Sequence, residues 1–319
     1  MNLEQASSQD TSQIVALWNK SFGAAWPLTE TLLRQTLESD PYYEAEGHFA
    51  VRQNGELVGW ALCKSNRDVG PELGRFQNRG GVGGLCVDPA FQRRGIGTQL
   101  LRACETHLRE NGSPLSTLYF PHHLLPGIPA DSPSGIAFFQ KHGYTGFKPC
   151  VDMKRDLIEY SIPAKALRAI AQNPTVELRR ARPDEAEKIV AFMSREFPGG
   201  WTYSTQSHFA RGGKARDFVI AVENLEVIGF CHTTDWRNSW LLPNVYWHAL
   251  LGEHFGGLGP IGIGAAHRKR GLGLALCAVA VEELKLAGVE IMAIDWTTLV
   301  DFYAQLGFSV WKTYLQAEK

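Results

Sequence analysis

Residues Val87–Leu101 read VDPAFQRRGIGTQLL. The stretch opens like the end of a buried strand and closes with the apolar spacing of a helix start. Between the two stand Gln92, Arg93 and Arg94, then Gly95 and Gly97. A helix start leaves its first backbone N–H groups without intrahelical partners, and the helix dipole adds about half a positive charge there. Glycines at 95 and 97 remove Cβ atoms, so a bulky anion can approach the backbone. The arginines add charge-assisted donors. The segment therefore reads as a cradle for a phosphate or pyrophosphate. Two other cradles are excluded: a P-loop needs Gly-Lys-Ser/Thr after its loop, and a dinucleotide fingerprint needs a third glycine three residues after the second. Leu100 stands at that place.

The cradle occurs twice. RRGIG at Arg93–Gly97 matches KRGLG at Lys269–Gly273, and other matches keep the same order at nearly the same spacing. IVALW at Ile14–Trp18 pairs with IVAFM at Ile189–Met193, and Trp26 with Trp201. NGELVGW at Asn54–Trp60 pairs with NLEVIGF at Asn224–Phe230, and FFQKHGY at Phe138–Tyr144 with FYAQLGF at Phe302–Phe308. A period this long is a duplicated domain rather than a solenoid, whose units run roughly 20–50 residues. The expected organisation is a first domain over 1–158, a linker over 159–174 with a short central helix, and a second domain over 175–319. The first copy carries an extra Pro/Gly-rich segment around PHHLLPGIPADSP, which reads as a loop and a candidate lid.

Each copy mixes helical and strand patterns, which predicts an α/β class. An early amphipathic helix precedes two apolar runs joined by Asn-Gly or Asn-Leu, a hairpin signal in which Asn-Gly is the stronger turn. A Gly-rich strand follows (GGVGGLCV or GPIGIGA), then the cradle, then a long helix stopped at Gly112 or Gly288. A strand, a short helix and a last strand close each copy.

Composition narrows the function classes. Of 319 residues, 44% are apolar and 20% charged, ordinary for a globular chain. The net charge of −1 provides no overall field for nucleic acid or an anionic membrane, so neither partner is expected. No run approaches the roughly 20 apolar residues of a membrane span, and the first residues lack a secretory pattern. The six cysteines are scattered without a C-x-x-C pair, so reduced packing thiols in a cytoplasm are expected, with no metal site. A monomer or homodimer is expected.

Gln92-Arg93-Arg94-Gly95-Ile96-Gly97 and Arg268-Lys269-Arg270-Gly271-Leu272-Gly273, each after a strand, resemble the acetyl-CoA signature of the GCN5-related N-acetyltransferase (GNAT) superfamily. AFFQKHGY and DFYAQLGF are similar to its later Phe-Tyr-x-x-x-Gly-Phe pattern, so the resemblance spans both copies. It implies two GNAT-like domains, each a mixed, mostly antiparallel sheet flanked by helices with a splayed central strand pair. It also implies acetyl-CoA as cofactor. The pyrophosphate falls to the two hexapeptides with Thr98 and Leu274. The pantetheine arm lies along the Gly-rich strands, at Leu85, Cys86 and Val87 and at Ile261, Gly262 and Ile263. The implied activity is N-acetylation of a small primary amine by direct transfer in a ternary complex. The alternative is an acyl-CoA-binding protein in which one or both domains are non-catalytic.

Family members often use a tyrosine to protonate the leaving thiolate. Tyr303 stands at that position in the second copy, whereas the first has Phe139, which has no proton to give. Tyr144 reads as core. Neither Gly-rich strand contains the carboxylate base common in the family. His122 after the first copy's next strand and Glu253 before the second Gly-rich strand are the base candidates. Asp295, at the end of the corresponding strand of the second copy, reads as a turn or cap ligand.

Overall fold

The computed structural model describes residues 2–37, 39–40, 43–65, 79–118 and 124–319, so the candidate His122 lies outside the described residues. The chain forms two compact units. The first comprises the described residues up to Cys150 together with Thr313–Lys319, and the second comprises Val151–Lys312.

In the first unit the order is β1 (Asn2–Gln5), α1 (Thr11–Phe22), α2 (Glu30–Leu37), β2 (His48–Gln53), β3 (Glu56–Lys64), β4 (Arg79–Val87), α3 (Ile96–Glu110), β5 (Leu115–Thr117), β6 (Ile128–Pro129), α4 (Pro133–Lys141) and the first half of β7 (Thr145–Asp156). The second unit begins within β7. It continues with α5 (Ala164–Ala171), β8 (Val176–Arg180), α6 (Ala186–Glu196), α7 (Gly200–Ala210), β9 (Phe218–Glu223), β10 (Glu226–Asp235), β11 (Phe255–Ile263), α8 (Leu272–Leu286), β12 (Ile291–Thr297), α9 (Val300–Ala304) and the start of β13 (Ser309–Glu318).

Both units have the mixed, mostly antiparallel sheet expected of the fold. In the first, β1 to β4 pair antiparallel in sequence order and β4 then pairs with β5 in parallel. In the second, β8 to β11 repeat that order and β11 pairs with β12 in parallel. The units do not follow the copy boundaries drawn from the repeat, because the last strands are exchanged. Glu318 of β13 pairs with Thr117 of β5, whereas the end of β7 pairs with β12, Ile291 facing Asp156. Matching sequence copies cannot reveal such an exchange, since either last strand fits either sheet.

The parallel pairs open at the same place. β4 pairs with β5 from Arg79 to Gly81 and runs on to Val87. β11 pairs with β12 from Phe255 to Gly257, and then the ladder stops although the strands continue to Ile263 and Thr297. This gap is the splayed pair.

Both hairpins turn through two residues of positive φ, Asn54 (53°) with Gly55 (84°) and Asn224 (51°) with Leu225 (67°). This is the geometry that matches the strand twist. Gly112 (φ 76°) and Gly288 (φ 94°) take the left-handed conformation just past α3 and α8. The two long helices differ in their surroundings. α3 is amphipathic, with Leu100, Leu101, Cys104 and Leu108 inward. α8 is apolar nearly all round, which demands cover on both sides. The linker supplies the second side: Ala166 and Ala169 of α5 are buried, Tyr160 donates to the Ala278 carbonyl (2.9 Å), and Lys285 Nζ donates to the Tyr160 carbonyl (2.7 Å). All six cysteines are free and buried, and no helix among the described residues is long and apolar enough to cross a membrane.

Candidate functional site

The two cradles share one backbone design. Arg93 and Gly95 have φ of 63° and 86°, and Lys269 and Gly271 have 63° and 76°, so each turn places two left-handed residues, one apart, just ahead of its helix. The side chain that opens each hexapeptide latches the turn to the strand. Gln92 donates to the Val87 carbonyl (3.2 Å) and Arg268 to the Ile263 carbonyl (3.0 Å). Both helices start from a glycine, which has no side chain to cap the first N–H groups.

The surroundings then diverge. In the first unit the space above Gly95 is open, but a Cβ on Gly97 would meet the Phe138 ring at 3.4 Å. Thr98 is hydrogen-bonded to His142 (3.1 Å), tying α3 to the end of α4. In the second unit a Cβ on Gly273 would have Ile263 at 3.9 Å and Phe302 at 4.0 Å, an ordinary contact distance, and Leu274 replaces the tethered Thr98. A cleft of about 680 Å³ lies here, within the usual range for small-molecule sites. It is bounded by Ile263 of β11, the cradle from His267 to Leu274, Phe302 and Gln305, and Lys165, Arg168, Ala169 and Gln172 from α5 and its end.

Arg270 is not a free cation of the cradle. Its guanidinium is committed to Glu223 (2.8 and 3.0 Å) and to the Asn173 side chain (2.9 Å). That pairing holds the Glu223 carboxyl down to about 2. Arg268 and Lys269 remain exposed. Arg94 donates to the Ala90 carbonyl (3.1 Å) over the Phe91 ring. Leu85, Val87, Ile261 and Ile263 are half-buried and pack toward α3 or α8. Cys86 is buried, and burial pushes its thiol well above the usual range, so no thiolate is available there. A Cβ on Gly262 would strike the Phe197 ring at 2.4 Å, so only glycine fits beneath that aromatic.

The gap between β11 and β12 holds a carboxylate that the sequence reading set aside. The β7–β12 register breaks between Ile294 and Thr297. Within that bulge Trp296 has φ 45° and donates its N–H to Asp152 Oδ1 (3.1 Å). Bulges re-aim side chains and cluster at active sites, and positive φ at a non-glycine residue is strained. The bulge turns Asp295 to within 3.2 Å (Oδ1) of where Gly259 would carry a Cβ. Asn244 lies at the same glycine, its Nδ2 donating to the Gly259 carbonyl (3.4 Å). Desolvation first, and then the charge of Asp152, push the Asp295 carboxyl up to about 7. Asp295 is therefore neither a turn ligand nor a cap. The signal for it in the sequence is the lack of any carboxylate on the Gly-rich strands, which leaves the next strand to carry one.

Tyr303 is buried, with the core residues Ile294 and Leu306 in its cluster. Burial, then Cys277, Cys231 and Asp295, push its hydroxyl well above the usual range, so it keeps its proton. Ala293, one residue before Ile294, packs in a different cluster with Val245, beside Asn244. Asp295 is near enough to Tyr303 for its charge to help raise that hydroxyl. Glu253 is exposed in the turn before β11, where β11 and β12 are still paired, and the structure does not bring it to this gap. In the first unit Phe139 packs edge-on to Tyr144 (5.2 Å). The Tyr144 hydroxyl is held by Ser116 (2.7 Å) in the core.

The sequence matches the acetyltransferase (GNAT) family over residues 11–144 and 186–308. No curated protein matches the chain. Among solved structures it is similar to a GCN5-related glucosamine N-acetyltransferase region of a fungal multi-domain GH3 β-N-acetylglucosaminidase (27% identity, TM-score 0.87), covering 100% of this chain and 38% of that one. This chain thus spans well under half the length of that protein. It is also similar in fold to a GCN5-related N-acetyltransferase from Sphaerobacter thermophilus (17% identity, TM-score 0.72, covering 100% and 95%). A tandem GNAT protein from the clavulanic acid biosynthesis pathway matches as well (18% identity, TM-score 0.67, covering 100% and 98%).

Proposed function

The chain belongs to the GNAT acetyltransferase family, and on that premise we propose that its second unit is an acetyl-CoA-dependent N-acetyltransferase of a primary amine on a hydroxylated skeleton, an amino sugar of the glucosamine type. The observation that carries the catalytic assignment is Asp295, a carboxyl pushed up to about 7 at the open end of the β11–β12 gap.

The residues fit the cofactor. The cleft opens on the first turn of α8, which starts from Gly271 without a side-chain cap, on exposed Arg268 and Lys269, and on the apolar passage between Ile263 and Phe302. Those groups would hold the diphosphate and the arm. The cofactor supplies an acetyl group activated as a thioester. Asp295 takes a proton from the acceptor ammonium, a step for which a pKa near working pH is the best compromise between basicity and availability. Its negative charge also draws the ammonium to the gap. Tyr303 retains its proton until the departing sulfur needs one, and its hydroxyl makes no hydrogen bond among the described residues that would hold that proton elsewhere.

Two things support a hydroxylated acceptor. The similar fungal region is described as a glucosamine N-acetyltransferase. In addition, Thr234 Oγ1 and Asn244 Oδ1 are buried without hydrogen-bond partners. Thr234 faces Gly257 across the β10–β11 ladder, and Asn244 Oδ1 lies 2.6 Å from where a Gly257 Cβ would stand. Unpaired buried polar atoms are costly unless something hydrogen-bonds them.

The first unit takes the alternative reading, a non-catalytic partner, because Phe139 replaces the hydroxyl. The test is release of free thiol from acetyl-CoA with glucosamine, galactosamine, a polyamine and free amino acids. Turnover is expected with the amino sugars first. A chain that binds acetyl-CoA but acetylates none of them refutes the acceptor assignment. Full activity in Asp295→Asn refutes the base.

A further inference from the structure

The second unit's cleft has no carboxylate in its lining, yet it gathers five lysines and arginines, two of them from the segment between the sequence copies. Lys165 and Arg168 are one turn apart on α5 and exposed. Their helix is pinned in place. The Ala169 Cβ would stand 2.8 Å from a Cβ on Gly271. Asn173 just beyond α5 donates to both the Ala169 carbonyl (2.7 Å) and the Arg270 carbonyl (3.1 Å). Lys165 Nζ reaches the Gln305 side chain on the far wall (2.6 Å). Arg270 is committed to Glu223 and the Nε of Arg268 to the Ile263 carbonyl, which leaves Lys269, the terminal N–H groups of Arg268 and the helix start for a diphosphate. The α5 cations add charge for a further dianion, because a phosphomonoester takes charge-assisted hydrogen bonds from just such donors.

We infer that the linker helix α5 is a phosphate clamp: Lys165 and Arg168 bind the ribose 3′-phosphate of coenzyme A at the second unit. This rests on the acetyl-CoA reading above, and it assigns the clamp to a segment outside both copies of the repeat.

The experiment is calorimetric titration of the full chain with coenzyme A and with 3′-dephospho-coenzyme A, comparing the wild type with Lys165→Gln/Arg168→Gln. Both side chains are exposed, and an unchanged melting temperature confirms that the variant is folded. The wild type is expected to prefer coenzyme A by about ten-fold or more, the size of one good charge-assisted contact. The double variant is expected to lose that preference while its affinity for 3′-dephospho-coenzyme A stays within about two-fold. Raising the salt should narrow the wild-type preference, since exposed charges are screened. If the folded variant keeps the preference, or loses affinity equally for both nucleotides, the clamp is refuted. If the wild type binds both nucleotides equally, the clamp alone fails. If it binds neither, the acetyl-CoA reading fails with it.

Discussion

Asp295 Oδ1 stands 3.2 Å from the point at which Gly259 would carry a Cβ, and Gly259 itself has φ 137°. The glycine is thus the floor on which the carboxylate rests. Gly259→Ala is expected to push Asp295 out of the gap and to strain a backbone that L-residues rarely adopt. Turnover should fall at least ten-fold, with KM for acetyl-CoA little changed because the cradle begins several residues later. Steady-state kinetics with both substrates separates the two. A variant with wild-type turnover would show that the position of Asp295 does not matter.

Asp295 also sets the expected pH dependence. Its carboxyl, ordinarily near 4, is raised to about 7 by burial and by Asp152. A base works only when deprotonated, so kcat/KM should rise with pH through about 7 and then level off. Asp295→Asn should abolish that limb and lower kcat by about 10²–10⁴, the usual contribution of a positioned base. The same shift bears on stability with the opposite sign. The folded state binds the proton more tightly than the unfolded chain, so this group's contribution is fully present below about pH 4 and is lost as the pH rises through about 7. Asp295→Asn should therefore be at least as stable as the wild type at pH 8, as a urea titration would measure. A variant that retains the acidic limb would assign that limb to another group.

The cradles predict unequal binding. In the first unit Phe138 stands 3.4 Å from where Gly97 would carry a Cβ and Thr98 is bonded to His142, whereas in the second Phe302 and Ile263 stand 4.0 and 3.9 Å from the same point on Gly273 and Leu274 makes no such bond. One coenzyme A per chain is expected by calorimetry. Lys269→Glu should weaken it by about ten-fold or more, since it reverses an exposed charge at the helix start. Arg93→Glu in the first unit should leave the measured affinity unchanged. Two equivalent sites would contradict this account.

Both halves of the fold were legible because their signals are local. Asn54-Gly55 and Asn224-Leu225 do form matching turns, even though Leu225 tolerates a φ of 67° that glycine would adopt more easily. The two hexapeptides carry the turn geometry in their own residues, which is why Gly95 and Gly271 adopt the same conformation. What sequence could not show depends on distant partners. Arg270 looks like Arg94 in a sequence, and only the fold brings Glu223 to it. Asp295 looks like any strand-end aspartate until the bulge at Trp296 and the burial near Asp152 are known. Lys165 and Arg168 lie outside the repeat altogether, so no comparison of the copies points to them.

His232 supplies a test of the second unit's acid stability. It is 1% exposed, its ring stacks on Phe218 at 4.2 Å, His208 stands 4.6 Å away, and its Nε2 has no hydrogen-bond partner. Burial, and then His208, lower its pKa to about 3, against the opposing pull of Asp217. The unfolded chain therefore takes up the proton first. The stabilisation is complete above about pH 6.5 and is lost as the pH falls from there through about 3. The neutral ring can be replaced by a side chain of similar bulk without breaking a hydrogen bond. His232→Leu should thus cost little at pH 7 and should remove on the order of 2–3 kcal/mol of the stability lost between pH 7 and about 4.5. Urea unfolding of the second unit's transition at both pH values measures it. If wild type and variant lose the same stability on acidification, His232 is not the group that titrates.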